Sequence, residues 1–220
     1  MDGERSTSRV SRQVRRAGAR RATKIQWTQR TWQVTSGCRE WSPGCLHCYA
    51  RYDARRMGCN PNEKVRARYQ GLVVLQNNHL RWSGEVRELP EQLHAPLRWR
   101  APTTVFVNSL SDLFQEGVSF EFIAAVFGVM AMCARHTFQV LTKRPDRMRA
   151  WFEWLAARAA EAELTPQAVC AAHARGFGVE DSSTDVADAW PLPNVWVGTS
   201  VEDQRRANER VPELLGCPAA

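Results

Sequence analysis

The sequence predicts an α/β fold built on a parallel sheet, and three observations indicate it. Continuous apolar runs recur along the second half of the chain, as TVFVN, TFQVL and VWVGT. Stretches of helical length separate these runs, which is typical of alternating strands and helices around a buried parallel sheet. The chain of 220 residues holds only about four such units, whereas a closed barrel has eight. The sheet is therefore expected to be an open arc, or the chain to be truncated at its C-terminus.

The elements can be justified in chain order. Residues 25–35 (IQWTQRTWQVT) are rich in Trp and β-branched residues and predict a first strand. A loop with three cysteines follows, and a helix is expected at 49–57. Residues 60–97 are expected to be irregular, apart from a short strand candidate at 72–75. The later signals are stronger: we expect strands at 104–108, 137–141 and 195–199, and helices at 119–134, 145–163 and 202–215.

Two of these helices have suitable first residues. Ser119 can serve as an N-cap, and Pro145 suits the first turn of a helix. Residues 164–193 interrupt the alternation of strands and helices, and the polar, acidic stretch 181–188 predicts a surface insertion there. Residues 24–220 are thus expected to form one folded domain that carries this insertion.

The first 23 residues predict a disordered basic arm. Residues 1–24 contain eight Lys or Arg against two Asp or Glu, a net +6 of the chain's +7, so the other 196 residues together carry only +1. The arm has no apolar periodicity. It is either a solvated leader or an arm that binds nucleic acid or phosphate without specificity. On both interpretations the excess positive charge belongs to a tail and not to a binding face.

Composition argues for a cytoplasmic protein without a membrane segment. No run of about 18 apolar residues occurs, and no apolar segment follows the Arg-rich start as in a secretory signal. The seven cysteines are an odd number, which a secreted disulfide framework does not favour. Clustered thiols in a reducing compartment more often bind metal. Cys133 and Cys170 lie in helical stretches and are expected to be small core residues.

Cys38, Cys45 and Cys48 form the pattern C-x6-C-x2-C. Three thiolates are one short of a closed tetrahedral zinc site, whereas an iron–sulfur cluster held by three thiolates keeps one iron open. The loop lies between a strand and a helix, where folds of this class build their sites. Zinc remains an alternative, with Cys59 or His47 as the fourth ligand, and so does the absence of any metal.

Polar side chains follow three of the predicted strands at the point where each strand ends. They are Asn108, Ser109 and Asp112 after the first, Lys143 and Arg144 after the second, and Thr199, Ser200 and Glu202 after the third. In parallel sheets these ends face the same side as the cysteine loop. The first group suits ribose or ammonium, and the two basic residues suit carboxylate or phosphate. The alternative is that Asp112 or Ser200 caps a helix and the basic residues are surface charges.

The run GCREWSPGCLHCYAR, residues 37–51, resembles the phage-associated three-cysteine-motif family, phage proteins of unknown function that are radical-SAM-like. Three later blocks resemble that family's later blocks in the same order. They are RWRAPTTVFVNSLSDLF at 98–114, RHTFQVLTKRPDRM at 135–148 and PNVWVGTSVEDQ at 193–204. The resemblance covers about residues 24–220. It implies a partial (β/α) barrel of parallel strands with helices outside, in a family whose members continue beyond Ala220 with a further strand.

The resemblance also implies a chemistry. A [4Fe–4S] cluster would be held by Cys38, Cys45 and Cys48, and S-adenosyl-L-methionine would chelate the fourth iron. The protein would reductively cleave that cofactor in order to act on an unknown substrate, and DNA or a nucleotide is the favoured substrate. Two other hypotheses stay open. One is a non-catalytic zinc or iron–sulfur module that contacts nucleic acid or a partner protein, and the other is an inactive truncated fragment.

Overall fold

The computed structural model describes residues 23–180, 187 and 189–218. The expected basic arm lies outside these residues except for Thr23, and so does most of the acidic stretch 181–188. The strands β1 to β8 span Arg30–Trp32, Thr35–Ser36, Val73–Gln76, His79–Trp82, Arg87–Glu88, Thr104–Val107, Thr137–Thr142 and Val195–Thr199. The helices α1 to α6 span Ala50–Gly58, Glu63–Tyr69, Phe120–Ala131, Pro145–Glu161, Pro166–Gly176 and Gln204–Leu215.

The main sheet has four parallel strands in the order β1-β6-β7-β8. Its register places Trp32 beside Val107, and Val107 beside Val140. The expected mixed α/β fold with a parallel sheet and surrounding helices is therefore confirmed. Within the described residues the sheet is open, with β1 and β8 at its edges, and closure into a barrel is not observed.

The core lies between one face of this sheet and the helices. Trp32, Val107 and Val140 are buried there with residues of α3 and α4. All residues of α3 from Phe122 to Ala131 are buried, because this helix is apolar on every side. The opposite face of the sheet is only partly covered, and Trp196 on it is 54% exposed.

The first predicted strand is in fact two short strands. β1 pairs with β6 in parallel, whereas β2 pairs with β5 in antiparallel orientation. The Asn108 side chain separates them, because its oxygen accepts hydrogen bonds from the N–H groups of Val34 and Thr35, at 2.9 and 3.2 Å. These amides are then not available to continue the β1 ladder.

The region expected to be irregular, 60–97, is more ordered than the sequence indicates. It contains α2, the antiparallel hairpin of β3 and β4, and β5. A second, smaller apolar cluster holds α1, α2 and the hairpin together, and its buried members are Ala50, Ala54, Tyr69, Leu72, Val73, Trp82 and Leu110. These elements are too short for a periodic pattern to show.

The segment expected as an insertion contains α5. Cys170 and Ala174 on this helix are fully buried and belong to the main core. Close packing with α3 is possible because residue 128 of α3 is a glycine, on which a Cβ would collide with the Cys170 carbonyl group. At least this part of residues 164–193 is integral to the fold. Among the described helices, none combines the length and the apolar character needed to cross a bilayer.

Candidate functional site

A cavity of about 360 Å³ opens at the carboxyl ends of β6, β7 and β8, and the cysteine loop (residues 37–48) lies against it. Cys38, Cys45 and Cys48 all line this cavity. Its apolar wall consists of Trp27, Phe106 and Leu141. The pattern C-x6-C-x2-C thus brings three thiols to one concave site.

Local structure brings the second and third cysteines together. A 3-10 turn at Pro43–His47 begins with the proline, whose fixed φ suits a first turn. The Cys48 N–H donates to the Cys45 carbonyl oxygen at 3.3 Å, which closes that turn. Residues three apart share a face of such a turn, and His47 between them also lines the cavity. The Trp41 N–H also points at the Cys45 sulfur, at 3.5 Å.

The surroundings of Cys38 disfavour its thiolate form in the chain without a bound metal. Burial raises the pKa of this thiol to about 12, and the negative charge of Asp112 adds to the effect while Arg144 opposes it. Binding a metal would remove the thiol proton, because thiolates and not thiols are metal ligands.

Three cysteine thiols at one cavity are ligands of the type that an iron–sulfur cluster uses, and with a fourth ligand also zinc. Among the described residues, no group of three or more His, Cys, Asp or Glu side chains converges on one point as a single metal ion requires. The thiolates of a cubane each bind a different iron and need only surround a common space. Of the two candidate fourth ligands of a zinc ion, Cys59 is exposed at the end of α1 and does not line the cavity, whereas His47 does.

Asp112 organises the floor of the site. One carboxylate oxygen accepts hydrogen bonds from the Thr142 hydroxyl group at 2.7 Å and the Phe114 N–H at 3.0 Å. The other accepts from the Lys143 N–H at 2.9 Å and the Arg144 guanidinium at 3.3 Å. Asp112 lines the cavity, but four protein donors occupy its oxygens, one from its own loop and three from the end of β7.

Arg144 connects this floor to the cysteine loop. It is 2% exposed, donates to the Arg39 carbonyl oxygen at 2.9 Å and lies 5.0 Å from the centre of the Trp41 ring. It is therefore not the surface charge that one interpretation of the sequence expected. Its charge is balanced by Asp112 and its guanidinium plane supports the loop between the first two cysteines.

Asn108 and Ser109 line the cavity with most of their polar atoms engaged. Asn108 is buried at a positive φ of 58° and its amide also donates to the Thr35 hydroxyl group. The Ser109 hydroxyl group accepts from Gln33 at 2.6 Å, and its carbonyl oxygen accepts from the Tyr49 hydroxyl group at 2.7 Å. These contacts hold the cavity wall in shape.

Lys143 and Ser200 also line the cavity, whereas Thr199 and Glu202 do not. The Thr199 hydroxyl group donates to the Thr142 carbonyl oxygen at 2.9 Å. Glu202 lies behind the loop, 3.9 Å from the Lys143 ammonium group. A Cβ on Gly44 would lie 3.0 Å from that ammonium nitrogen, which a small shift of the flexible Lys143 side chain would relieve.

The charge of Glu202 is stabilised by its neighbours. Burial raises the pKa of this carboxyl group, but the hydrogen bond from Arg210 and the charges of Lys143 and Arg210 outweigh it, so the pKa is lowered overall. Arg210 donates to the Glu202 carboxylate at 2.9 Å and also to the Ser200 carbonyl oxygen. The three sequence-predicted residues after β8 thus divide into one at the cavity and two behind it.

Arg51 is a residue of the site that sequence analysis did not single out. Its side chain is 5% exposed and donates to the carbonyl oxygens of Leu46 and Leu80 and to Glu40. It thereby fastens the cysteine loop to β4. Its position three residues after the last cysteine, in the first turn of α1, was the available signal.

One family matches the chain. The family described as protein of unknown function DUF5131 matches residues 22–220. The chain belongs to this family. Neither the curated proteins nor the solved structures gave a match. The DUF5131 match spans both the cysteine loop and all four strands of the parallel sheet, so the site described above lies wholly within the family's region.

Proposed function

We propose that this DUF5131 protein is a radical-SAM-like iron–sulfur protein. Cys38, Cys45 and Cys48 would hold a [4Fe–4S] cluster whose fourth iron binds S-adenosyl-L-methionine. One observation carries the proposal: three thiols at C-x6-C-x2-C spacing line a single cavity at the carboxyl ends of parallel strands. The resemblance of the cysteine run and of the three later blocks to a radical-SAM-like phage family also supports it.

When bound, the cluster and S-adenosyl-L-methionine would supply reductive cleavage of the sulfonium with an electron from an external reductant, which side chains cannot supply. The chain's own residues would position the bound cofactor and shield the cluster from water. Trp27, Phe106 and Leu141 form a wall that limits water, and solvent exposure tunes a cluster's potential. Lys143 and Ser200 offer a cation and a hydroxyl group to the carboxylate or ribose of a bound cofactor.

Anaerobic reconstitution with iron and sulfide, followed by EPR of the dithionite-reduced protein, tests the proposal. We expect a [4Fe–4S]⁺ signal that changes when S-adenosyl-L-methionine is added. Cys45→Ala should lose the cluster, because two thiolates do not hold a cubane. Cys133→Ala is the matched control, since Cys133 is buried in the main core, and it should keep full iron and sulfide content.

Cys59→Ala separates the cluster from zinc. It should keep its metal if the three cavity cysteines hold a cluster, and lose it if Cys59 is the fourth ligand of a zinc ion. Full iron and sulfide content in Cys45→Ala, or stoichiometric zinc in place of iron, would overturn the proposal. Zinc would instead favour a non-catalytic binding module.

A further inference from the structure

Positive charge in the folded part of the chain is concentrated in one segment. Residues 50–87 contain eight Lys or Arg and three Asp or Glu, a net charge of +5, whereas residues 88–220 contain 12 basic and 17 acidic residues, a net of −5. The near-neutral sum over the folded part conceals this separation. The sequence-based expectation that excess positive charge belongs only to the N-terminal tail is therefore wrong.

The structure makes this segment one lobe beside the cysteine cavity. We call residues 50–87 the basic lobe; it consists of α1, α2 and the hairpin of β3 and β4 around the smaller apolar cluster. Cys38 and Cys48 pack against the same cluster. The positive charge thus lies next to the site and not on a remote surface.

The outer face of α1 carries two tyrosines and two arginines in helical spacing. Tyr52, Arg55 and Arg56 are exposed, while Ala50 and Ala54 on the other side of the helix are buried. Tyr49 directly precedes α1, so positions 49, 52, 55 and 56 form a continuous stripe. We call these four residues the α1 stripe.

The α1 stripe begins at the cavity. Tyr49 lines it, and the hydrogen bond from its hydroxyl group to the Ser109 carbonyl oxygen holds the ring at the mouth. Tyr49 is 53% exposed and Tyr52 is 64% exposed. Two large exposed rings on one helical stripe, next to arginines, are typical of a binding surface.

Two cations on the lobe are free to bind a ligand. Within the part of the chain that the structure describes, Arg55 and Lys64 are exposed and have no carboxylate at ion-pair distance. By contrast, Arg56 pairs with Asp53, and Arg68 pairs with Glu91. Unpaired exposed cations attract polyanions and contribute to phosphate binding.

We propose that the α1 stripe and the basic lobe bind a single-stranded polynucleotide and lead one of its nucleotides to the cysteine cavity. Bases of a single strand can stack on Tyr49 and Tyr52, whereas a duplex hides the faces of its bases. Arg55 and Lys64 would contact the phosphates. The binding itself does not require a cluster; that the bound strand is the substrate rests on the proposed function.

Fluorescence anisotropy with the full-length protein and a labelled single-stranded oligonucleotide of about 20 nucleotides tests this interface. The key variant is Arg55→Glu with Lys64→Glu. The matched control is Arg158→Glu with Arg205→Glu, two exposed arginines on α4 and α6 that change the net charge equally. The N-terminal arm is present in both, so its contribution cancels. Circular dichroism and the melting temperature verify that each variant is folded.

We expect the lobe variant to bind at least about tenfold more weakly at 100 mM salt. The slope of its log affinity against log salt concentration should also become shallower, by an amount that corresponds to roughly two lost phosphate contacts. The control should change by less than about twofold. Tyr52→Ala should weaken binding about fivefold or more, because stacking on an aromatic ring contributes substantially per base. A duplex of the same sequence should bind more weakly than the single strand.

Equal weakening by the lobe and control variants would overturn the interface, since binding would then follow net charge alone. Tighter binding of the duplex, or no binding at low salt, would also overturn it. The same titrations with the wild-type protein after anaerobic reconstitution separate the two proposals. Lobe-dependent binding by a wild-type protein that assembles no cluster would leave the interface standing and the proposed function refuted.

Discussion

At the scale of single residues, the pair of Asp112 and Arg144 connects the two halves of the site. Asp112, which follows β6, accepts from Thr142 and Arg144 at the end of β7, and Arg144 extends from the same point to the Arg39 carbonyl oxygen and the Trp41 ring. Both side chains are nearly excluded from water, at 9% and 2% exposure. A charge buried to this extent is tolerated only while its partner is present.

We therefore predict that Asp112→Asn lowers the free energy of unfolding by about 3–5 kcal/mol, because Arg144 is left buried without a counter-charge. Glu116→Gln is the matched control. Glu116 pairs with Arg39 across an exposed surface, and losing such a pair costs about 0–1 kcal/mol. Urea unfolding measures both.

A loss of similar size in the two variants would contradict the buried-pair argument. Asp112→Asn should also reduce iron loading on reconstitution, since the loop that carries Cys38 is then less firmly held. Glu116→Gln should load normally.

At the scale of elements, the contact between α3 and α5 depends on a missing side chain. Gly128 faces α5 so closely that a Cβ would collide with the Cys170 carbonyl group and lie 3.0 Å from the Ala174 Cβ. Backbone atoms cannot move aside as flexible side chains do. The helices are therefore expected to separate if this residue is enlarged.

We predict that Gly128→Ala lowers the free energy of unfolding by about 1–3 kcal/mol through overpacking, although alanine is the better helix former. Gly176→Ala at the end of α5 is the control, because a Cβ there meets no atom within 4 Å. It should be neutral or stabilising by up to about 1 kcal/mol. Thermal or urea unfolding of the two variants tests this prediction. An unchanged free energy of unfolding in Gly128→Ala would mean that α5 does not pack closely on α3.

At the scale of the whole molecule, the two apolar clusters differ greatly in size. The main core joins the parallel sheet to α3, α4 and α5, whereas the basic lobe depends on a cluster with only seven buried residues. Regions with few buried apolar contacts open with a smaller free-energy cost than the global core.

We predict that amides of α1, α2 and the β3–β4 hairpin exchange with deuterium faster than those of α3, β6 and β7. Assembly of the iron–sulfur cluster should slow amide exchange in the lobe, because Cys38 and Cys48 pack against the lobe's apolar residues. Exchange followed by mass spectrometry, before and after reconstitution, measures this. Equal protection of lobe and core would show that the molecule opens as a single unit.

The sequence predicted some of these features and missed others for identifiable reasons. Continuous apolar runs predicted the strands β6, β7 and β8, and the stretches of helical length between them predicted helices. Both are local patterns that the sequence shows directly. The hairpin of β3 and β4 has four-residue strands with mixed exposure, too short for a period to emerge. Asp112 was found as a candidate, but its partners come from a strand about 30 residues later, which no local pattern reports.

The sequence by itself determined the α/β class, the order of the later elements and the three cysteines of the cavity, because each depends on spacing along the chain. Only the tertiary structure decided which polar residues face the cavity, that Arg144 is buried under the loop, and that the positive charge of residues 50–87 lies beside the site. These depend on contacts between residues far apart in the chain, where the free energy of burial and charge pairing outweighs local preference.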